Sequence, residues 1–247
     1  MGSGDNAKQV QATSGGVLSL HANTTAESAQ ALSGGRINTA VATNISASAL
    51  VRDADSRLSL GADLVLTQDL LIRGDGSSPA TVDASGNDIM VRHIRIGQFG
   101  DHGEILNRGN IIATDDLEVS AGSFAMGPDD NATQVLASVG ATLDLHANTT
   151  ASSALVTAGG RINMASASNV SNSVNVFDEN SQSDMSEDLM LTGNLSIRGT
   201  GPLPAIVHAA TSLTPGVSRS MHPMALRSCR GAMGLLTLPR LLTKMDF

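Results

Sequence analysis

The chain has no Trp, no Tyr and only four Phe among 247 residues, and a single Cys. A globular centre anchored by aromatic rings is therefore excluded, and with it the ring platforms that a sugar-cleaving groove normally offers. One cysteine forbids a disulfide framework and a multi-cysteine zinc site. Charged residues make up 15% of the chain, well under the usual quarter. Ser, Thr, Asn and Gly take their place, so the surface is polar more than charged. No apolar run approaches the roughly 18 residues needed to cross a bilayer. The N-terminus, Met1-Gly2-Ser3-Gly4-Asp5, is neither basic nor apolar and does not read as a signal peptide.

What charge there is lies unevenly. The net value is −8; residues 1–210 hold 10 basic and 22 acidic side chains, and residues 211–247 hold five basic ones against Asp246. An acidic body repels phosphate backbones, which argues against nucleic-acid binding. Hydrophobic residues still reach 41%. The core must then be Leu, Ile, Val and Ala, which suits thin repetitive layers.

The dominant feature is a repeat. Leu18-Ser19-Leu20-His21-Ala22-Asn23-Thr24-Thr25 returns 125 positions later as Leu143-Asp144-Leu145-His146-Ala147-Asn148-Thr149-Thr150. Laying residues 12–85 over 137–210 needs no gap and gives 38 identities in 74 positions. Within each copy, short apolar runs alternate with turn-formers such as Gly34-Gly35, Gly61 and Ser85-Gly86-Asn87-Asp88, which is strand spacing. Ile89 to Ile96 carries the strongest strand signal. Ala26 to Leu32 could instead form a turn of helix. A unit of 125 exceeds a single solenoid turn of about 20–45 residues, so it reads as five or six turns duplicated together. Two tandem β-sandwiches are the alternative, but a sandwich domain cut partway would lose its core, whereas a solenoid survives losing turns.

The expected architecture is therefore all-β: a parallel β-helix with a duplication of about 125 residues and an atypical C-terminal tail. Residues 1–15 read as a loose lead-in, 16–136 as the first repeat, 137–210 as a truncated second repeat, and 211–247 as an unrelated tail or cap. The match breaks so abruptly near residue 211 that a shifted reading frame is one explanation. The other is an end cap over Gly231 to Leu242, interrupted by Pro239.

Candidate chemistry is sparse. Asp115-Asp116, Asp129-Asp130 and the set Asp83, Asp88, Asp101 and Glu104 offer carboxylates for acid–base work, although Asp also favours turns and adjacent residues on a strand face opposite ways. The most suggestive cluster is Arg92, His93 and Arg95, with His102 on the next turn, as an exposed binding face. Strand alternation puts Arg92 and Ile94 on one side, and Val91, His93 and Arg95 on the other. His21 and His146 are repeat-equivalent, hence structural. No metal site, phosphate loop or nucleophile elbow is legible, and nothing calls for a cofactor.

The short strands, the Gly-Gly-Arg-Ile-Asn steps, Asp63-Leu64-Val65-Leu66-Thr67 and Ile105-Leu106-Asn107-Arg108-Gly109-Asn110-Ile111-Ile112 resemble the passenger regions of filamentous-haemagglutinin-type and autotransporter adhesins. The resemblance spans about residues 16–210. It implies a right-handed parallel β-helix, extracellular or on a bacterial cell surface, belonging to a larger protein. The role it implies is non-enzymatic, structural or adhesive, with a surface glycan or protein as partner. The competing reading is a carbohydrate-active β-helix of the polysaccharide lyase or glycosidase type.

Overall fold

A computed structural model describes residues 1–75, 78–98, 101–165, 168–186, 189–200, 202–209, 213–218 and 225–226. Each turn of the chain contributes one long strand and one short one. The long strands are β1 (Asn6–Ala12), β3 (Thr25–Leu32), β5 (Asn44–Arg52), β8 (Asp69–Arg73), β10 (Ile89–Ile96), β12 (Ile111–Val119), β14 (Asn131–Ala137), β16 (Thr150–Val156), β18 (Asn169–Phe177), β20 (Leu189–Arg198) and β22 (Leu213–Ser218). They stack in that order, and β7 (Leu64–Val65) also pairs with β10. The short strands form two runs. The first is β2 (Val17–Leu20), β4 (Arg36–Thr39), β6 (Arg57–Ser59), β9 (Ala80–Asp83) and β11 (Gly103–Leu106). The second is β13 (Ser123–Met126), β15 (Thr142–Leu145), β17 (Arg161–Met164), β19 (Gln182–Met185), β21 (Ile206–Ala209) and β23 (Ala225–Leu226). The strand pairs are parallel throughout. This is a parallel β-solenoid of about 10 turns.

The register shows what the 125-residue unit is. Val10 lies beside Ala29, then Ala49, Leu70, Ile94, Leu117 and Val135. These are six steps of 19, 20, 21, 24, 23 and 18 residues. From Val135 the column runs on through Ala154, Val174, Leu195 and Ser218, in steps of 19, 20, 21 and 23. The duplicated unit is thus six turns, and the order of turn lengths restarts with the second copy. From Val10 to Val174 the side chains of this column are buried. Alanine lines it at Ala29 and Ala49, while Leu70, Ile94 and Leu117 fill the middle turns. Fully burying each of those larger side chains is worth about 1.5–3 kcal/mol.

The corners are duplicated too. At Ser14-Gly15, Ser33-Gly34, Val139-Gly140 and Ala158-Gly159 both residues have positive φ. The residue after each pair donates its amide to the carbonyl three back, at 2.9 Å in all four cases. These are tight turns of the mirror-image type, and each turns the chain from a long strand into a short strand of another sheet. Below them, Gly34 N–H donates to Ser56 Oγ at 3.0 Å and Gly159 N–H to Ser181 Oγ at 3.1 Å. Thr24 Oγ1 donates to the Gly2 carbonyl and Thr149 Oγ1 to the Gly127 carbonyl. These four hydroxyl residues are buried, so each satisfies a corner group that water cannot reach.

Three expectations are corrected. Residues 1–15 are not a loose lead-in: they hold β1, paired along its length with β3. The repeat in fact reaches the first residue, with seven of residues 1–11 identical 125 positions on. Ala26 to Leu32 is strand, within β3, because Ala26, Ala29 and Ala31 supply the small inward side chains that a narrow core needs. The third concerns the Arg92 region and is taken up below. The proposed cap from Gly231 to Leu242, and Cys229, lie outside the described residues.

Candidate functional site

The long strands are bent, and the bend builds the site. In an ordinary strand inward residues are two apart. In β10 they run Ile89, Val91, then Ile94, Ile96; in β12 they run Ile111, Ala113, then Leu117, Val119. A step of three or four residues at mid-strand marks a bulge, and the pairing of β10 with β12 shifts register there. The amides of Arg92 and His93 both donate to the Gln68 carbonyl, at 3.1 and 3.2 Å, which pins the irregular segment to the turn before. A bulge bends the strand and re-aims its side chains.

The expected faces therefore change. Val91 and Ile94 both point inward, Arg92 and Arg95 are both exposed, and His93 lies between, with 20% of its side chain accessible. The same bend overturns the expectation that Asp115 and Asp116 face opposite ways, since both reach His93. Its Nδ1 contacts Asp116 Oδ1, and its Nε2 lies 3.7 Å from Asp115 Oδ2. Arg92 Nε is 3.7 Å from Asp115 Oδ2, and Arg95 Nε is 3.7 Å from Glu118 Oε2. On the other side, Asp69 is the register partner of His93. Gln68, Asp69, Arg92, His93 and Arg95 line a shallow groove of about 320 Å³.

His102 does not join them. It lines a separate depression of about 300 Å³ with Ser78, Pro79, Gly103, Glu104, Gly122 and Ser123. The four-residue face read from the sequence is thus one groove of three residues plus a histidine elsewhere. Nor is the groove basic. Two arginines stand among Asp69, Asp115, Asp116 and Glu118, so an anion entering here meets a local surplus of negative charge.

Four of the other candidate carboxylates, Asp83, Asp88, Asp101 and Asp130, hold neighbouring turns together. Asp130 is fully buried against Arg108 and accepts the amides of Ile111 and Gly127, each at 2.7 Å. Burial pushes its pKa up, against the pull of those amides and of Arg108. Asp129 sits in a turn at positive φ. Asp83 contacts Arg57 and accepts from the Ser85 amide and Asn107. Asp101 pairs with Arg73 at 2.7 Å, and Asp88 accepts the Asn110 amide at 2.7 Å. Glu104 borders the His102 depression. Among the described residues, no group of three or more His, Cys, Asp or Glu side chains is placed to hold a metal ion. His21 and His146 occupy matching corners, each donating its amide to a methionine carbonyl, Met1 and Met126 respectively.

Sequence reasoning missed a second histidine–carboxylate pair. On the short-strand face Asp184 Oδ1 lies 2.5 Å from His208 Nδ1 and accepts from Gln182 at 2.7 Å, while its Oδ2 takes Arg161 at 2.7 Å. Burial alone would raise the Asp184 carboxyl. The hydrogen bonds from Gln182, His208 and Arg161 outweigh it and hold the pKa below its ordinary 3.8. Three of these residues come from successive turns, more than 20 positions apart, so only the register reveals the cluster.

No protein-family model matches the chain, no curated protein is similar to it, and no solved structure matches it.

Proposed function

We propose that this chain is a non-enzymatic, structural or adhesive segment of a surface-exposed or secreted bacterial protein, offering a long polar face to a glycan or protein partner. The observation that carries this reading is how the carboxylates are used. Asp83, Asp101, Asp115, Asp116, Asp130 and Asp184 each face a cationic or histidine side chain, most of them on a neighbouring turn. A carboxylate held in this way is poorly placed to move a proton in a substrate. The stack meanwhile repeats an outer surface of Ser, Thr, Asn and Gln turn after turn, which suits many weak contacts spread along a partner. The resemblance to adhesin passenger regions agrees with this, and a sequence without Trp or Tyr has little with which to build a sugar-cleaving groove.

The test uses the full chain, immobilised and exposed to a panel of neutral and acidic polysaccharides, with binding and product release measured together. Saturable retention without chain cleavage is the expected result. Release of shortened saccharide, lost in Asp115→Asn or Asp116→Asn while the fold persists, would replace this reading with the carbohydrate-active one.

A further inference from the structure

After the bend in the long strands, the side chains that alternate with the core form an outward column. It runs Gln30, Leu50, Leu71, Arg95, Glu118, Leu136, Leu155 and Asn175, each the register partner of the next. The column has the same character from either end: an amide, two leucines and a charge, then the opposite charge, two leucines and an amide. All four leucines are half-buried and stand outside the core. They come from β5, β8, β14 and β16, inside the stack, where neighbouring turns flank them on both sides.

The duplication does not produce this pattern. The first-copy equivalents of Leu136 and Leu155 are Gln11 and Gln30, and the second-copy equivalents of Leu50 and Leu71 are Asn175 and Ser196. A side chain that the turn itself needs recurs in both copies, as Thr24/Thr149 and Ser56/Ser181 do. The leucines are arranged instead about a centre midway between β10 and β12. A two-fold rotation there, about an axis along the strands, reverses the stack and lays each column against itself. Arg95 then meets Glu118 of a second copy, at two symmetric places, while Leu50 and Leu71 meet Leu155 and Leu136. Within one chain Arg95 Nε lies 3.7 Å from Glu118 Oε2, too far for a hydrogen bond, so both groups still have bonds to offer. The column alongside obeys the same symmetry. Asp69, His93, Asp116 and Gln134 are successive register partners, so His93 meets Asp116, and the Asp69 carboxylate meets the Gln134 amide.

We infer that this face is an interaction surface for a second copy of the same chain, packed with its stack antiparallel in a two-fold dimer. Opposite charges fix the register, and the leucine pairs supply the apolar contact. Six turns at about 4.8 Å make a patch about 29 Å long. Two columns wide, it falls short of the roughly 800 Å² that each partner gives to a standard interface, so the dimer dissociates on dilution. The short-strand faces stay uncovered, and the inference does not depend on which glycan or protein the polar surface takes.

Sedimentation equilibrium of the full chain over a concentration series tests this. A reversible monomer–dimer equilibrium is expected. Arg95→Glu and Glu118→Arg each set like charges against each other across the two-fold, and each is expected to raise the dissociation constant about tenfold or more. Mixed in equal amounts, the two variants become complementary at both contacts, and the dimer should return as a heterodimer. No effect confined to one chain can restore it. Leu136→Gln, which gives β14 the residue that β1 already carries at Gln11, should weaken the dimer while circular dichroism stays native. A chain that is monomeric at every concentration, dimers indifferent to these charges, or a mixture no tighter than its components would each overturn the inference.

Discussion

At the scale of single residues, the second copy exposes the rules of the first by breaking them. Ser183 stands where the first copy has Leu58, in the column between Ile162 and Val207. It is fully buried, and its hydroxyl has no hydrogen-bond partner. Leaving a buried polar group unmade costs about 1–3 kcal/mol. Ser183→Ala is therefore expected to raise stability in urea unfolding by about 1 kcal/mol; a loss would mean that the hydroxyl is satisfied. Protonation works at the same scale. Burial would raise Asp83, but hydrogen bonds from Asn107, the Ser85 amide and Arg57 prevail, so it lies below 3.8, as Asp184 does. A depressed carboxylate stabilises the fold above its unfolded value, and that stability is lost as pH falls through the folded value. Asp130, raised by burial, runs the other way: between 3.8 and its folded value the native state takes the proton first. Unfolding midpoints compared at about pH 5 and about pH 3 should thus fall with acid. The fall should be shallower in Asp184→Asn and steeper in Asp130→Asn.

At the scale of elements, the corners set the tightest limits. Gly160 follows the turn at Ala158-Gly159, and a Cβ there would overlap the Ala137 carbonyl and come within 2.9 Å of Ser138 N on the turn before. Gly35 meets the same obstacle at Ala12 and Thr13. Backbone cannot step aside as a side chain can, so Gly160→Ala and Gly35→Ala are each expected to cost about 3 kcal/mol. Gly140, at positive φ with nothing near its missing Cβ, should show only the smaller backbone penalty of about 1–2 kcal/mol. Equal losses at all three sites, by chemical denaturation, would contradict the close approach of successive turns.

Elements also divide what was legible from what was not. β10 was readable to both ends, since Ile89 to Ile96 is bounded by turn residues and rich in β-branched side chains. Its facing was not readable, because strand alternation assumes a step of two and the bend takes three or four. That single slip moved Arg95 and His93 to the wrong relation, and it hid the contact of Asp115 and Asp116 with one imidazole. β1 was missed for a different reason: Lys8, Gln9 and Gln11 make it look like a polar terminus. The identities Met1/Met126, Asp5/Asp130 and Val10/Val135 carried the needed signal. The Asp184–His208 pair had no local signal at all, because its geometry exists only once the register is known.

At the scale of the whole molecule, each turn leans on its neighbours, and stability is nearly a sum of turn and interface terms. That is why a chain with so few aromatic rings can still build a buried core: Ala, Val, Leu and Ile fill most of its columns, joined by Phe124, Met126, Met164 and Met185. It also explains why the copies differ freely at outward positions yet keep Thr24/Thr149, Ser56/Ser181 and the corner glycines Gly15/Gly140 and Gly34/Gly159. Everything else depends on the six-turn separation between equivalent positions. Spin labels at Asn44→Cys and Asn169→Cys, in a Cys229→Ser chain, report it directly by pulsed electron resonance. These exposed sites open β5 and β18, which stand six strands apart in the stack. Strands are spaced about 4.8 Å apart, so the labels should lie about 29 Å from each other, in one narrow distribution. A broad distribution, or one centred far from that separation, would contradict a single continuous solenoid and point to two separately closed units.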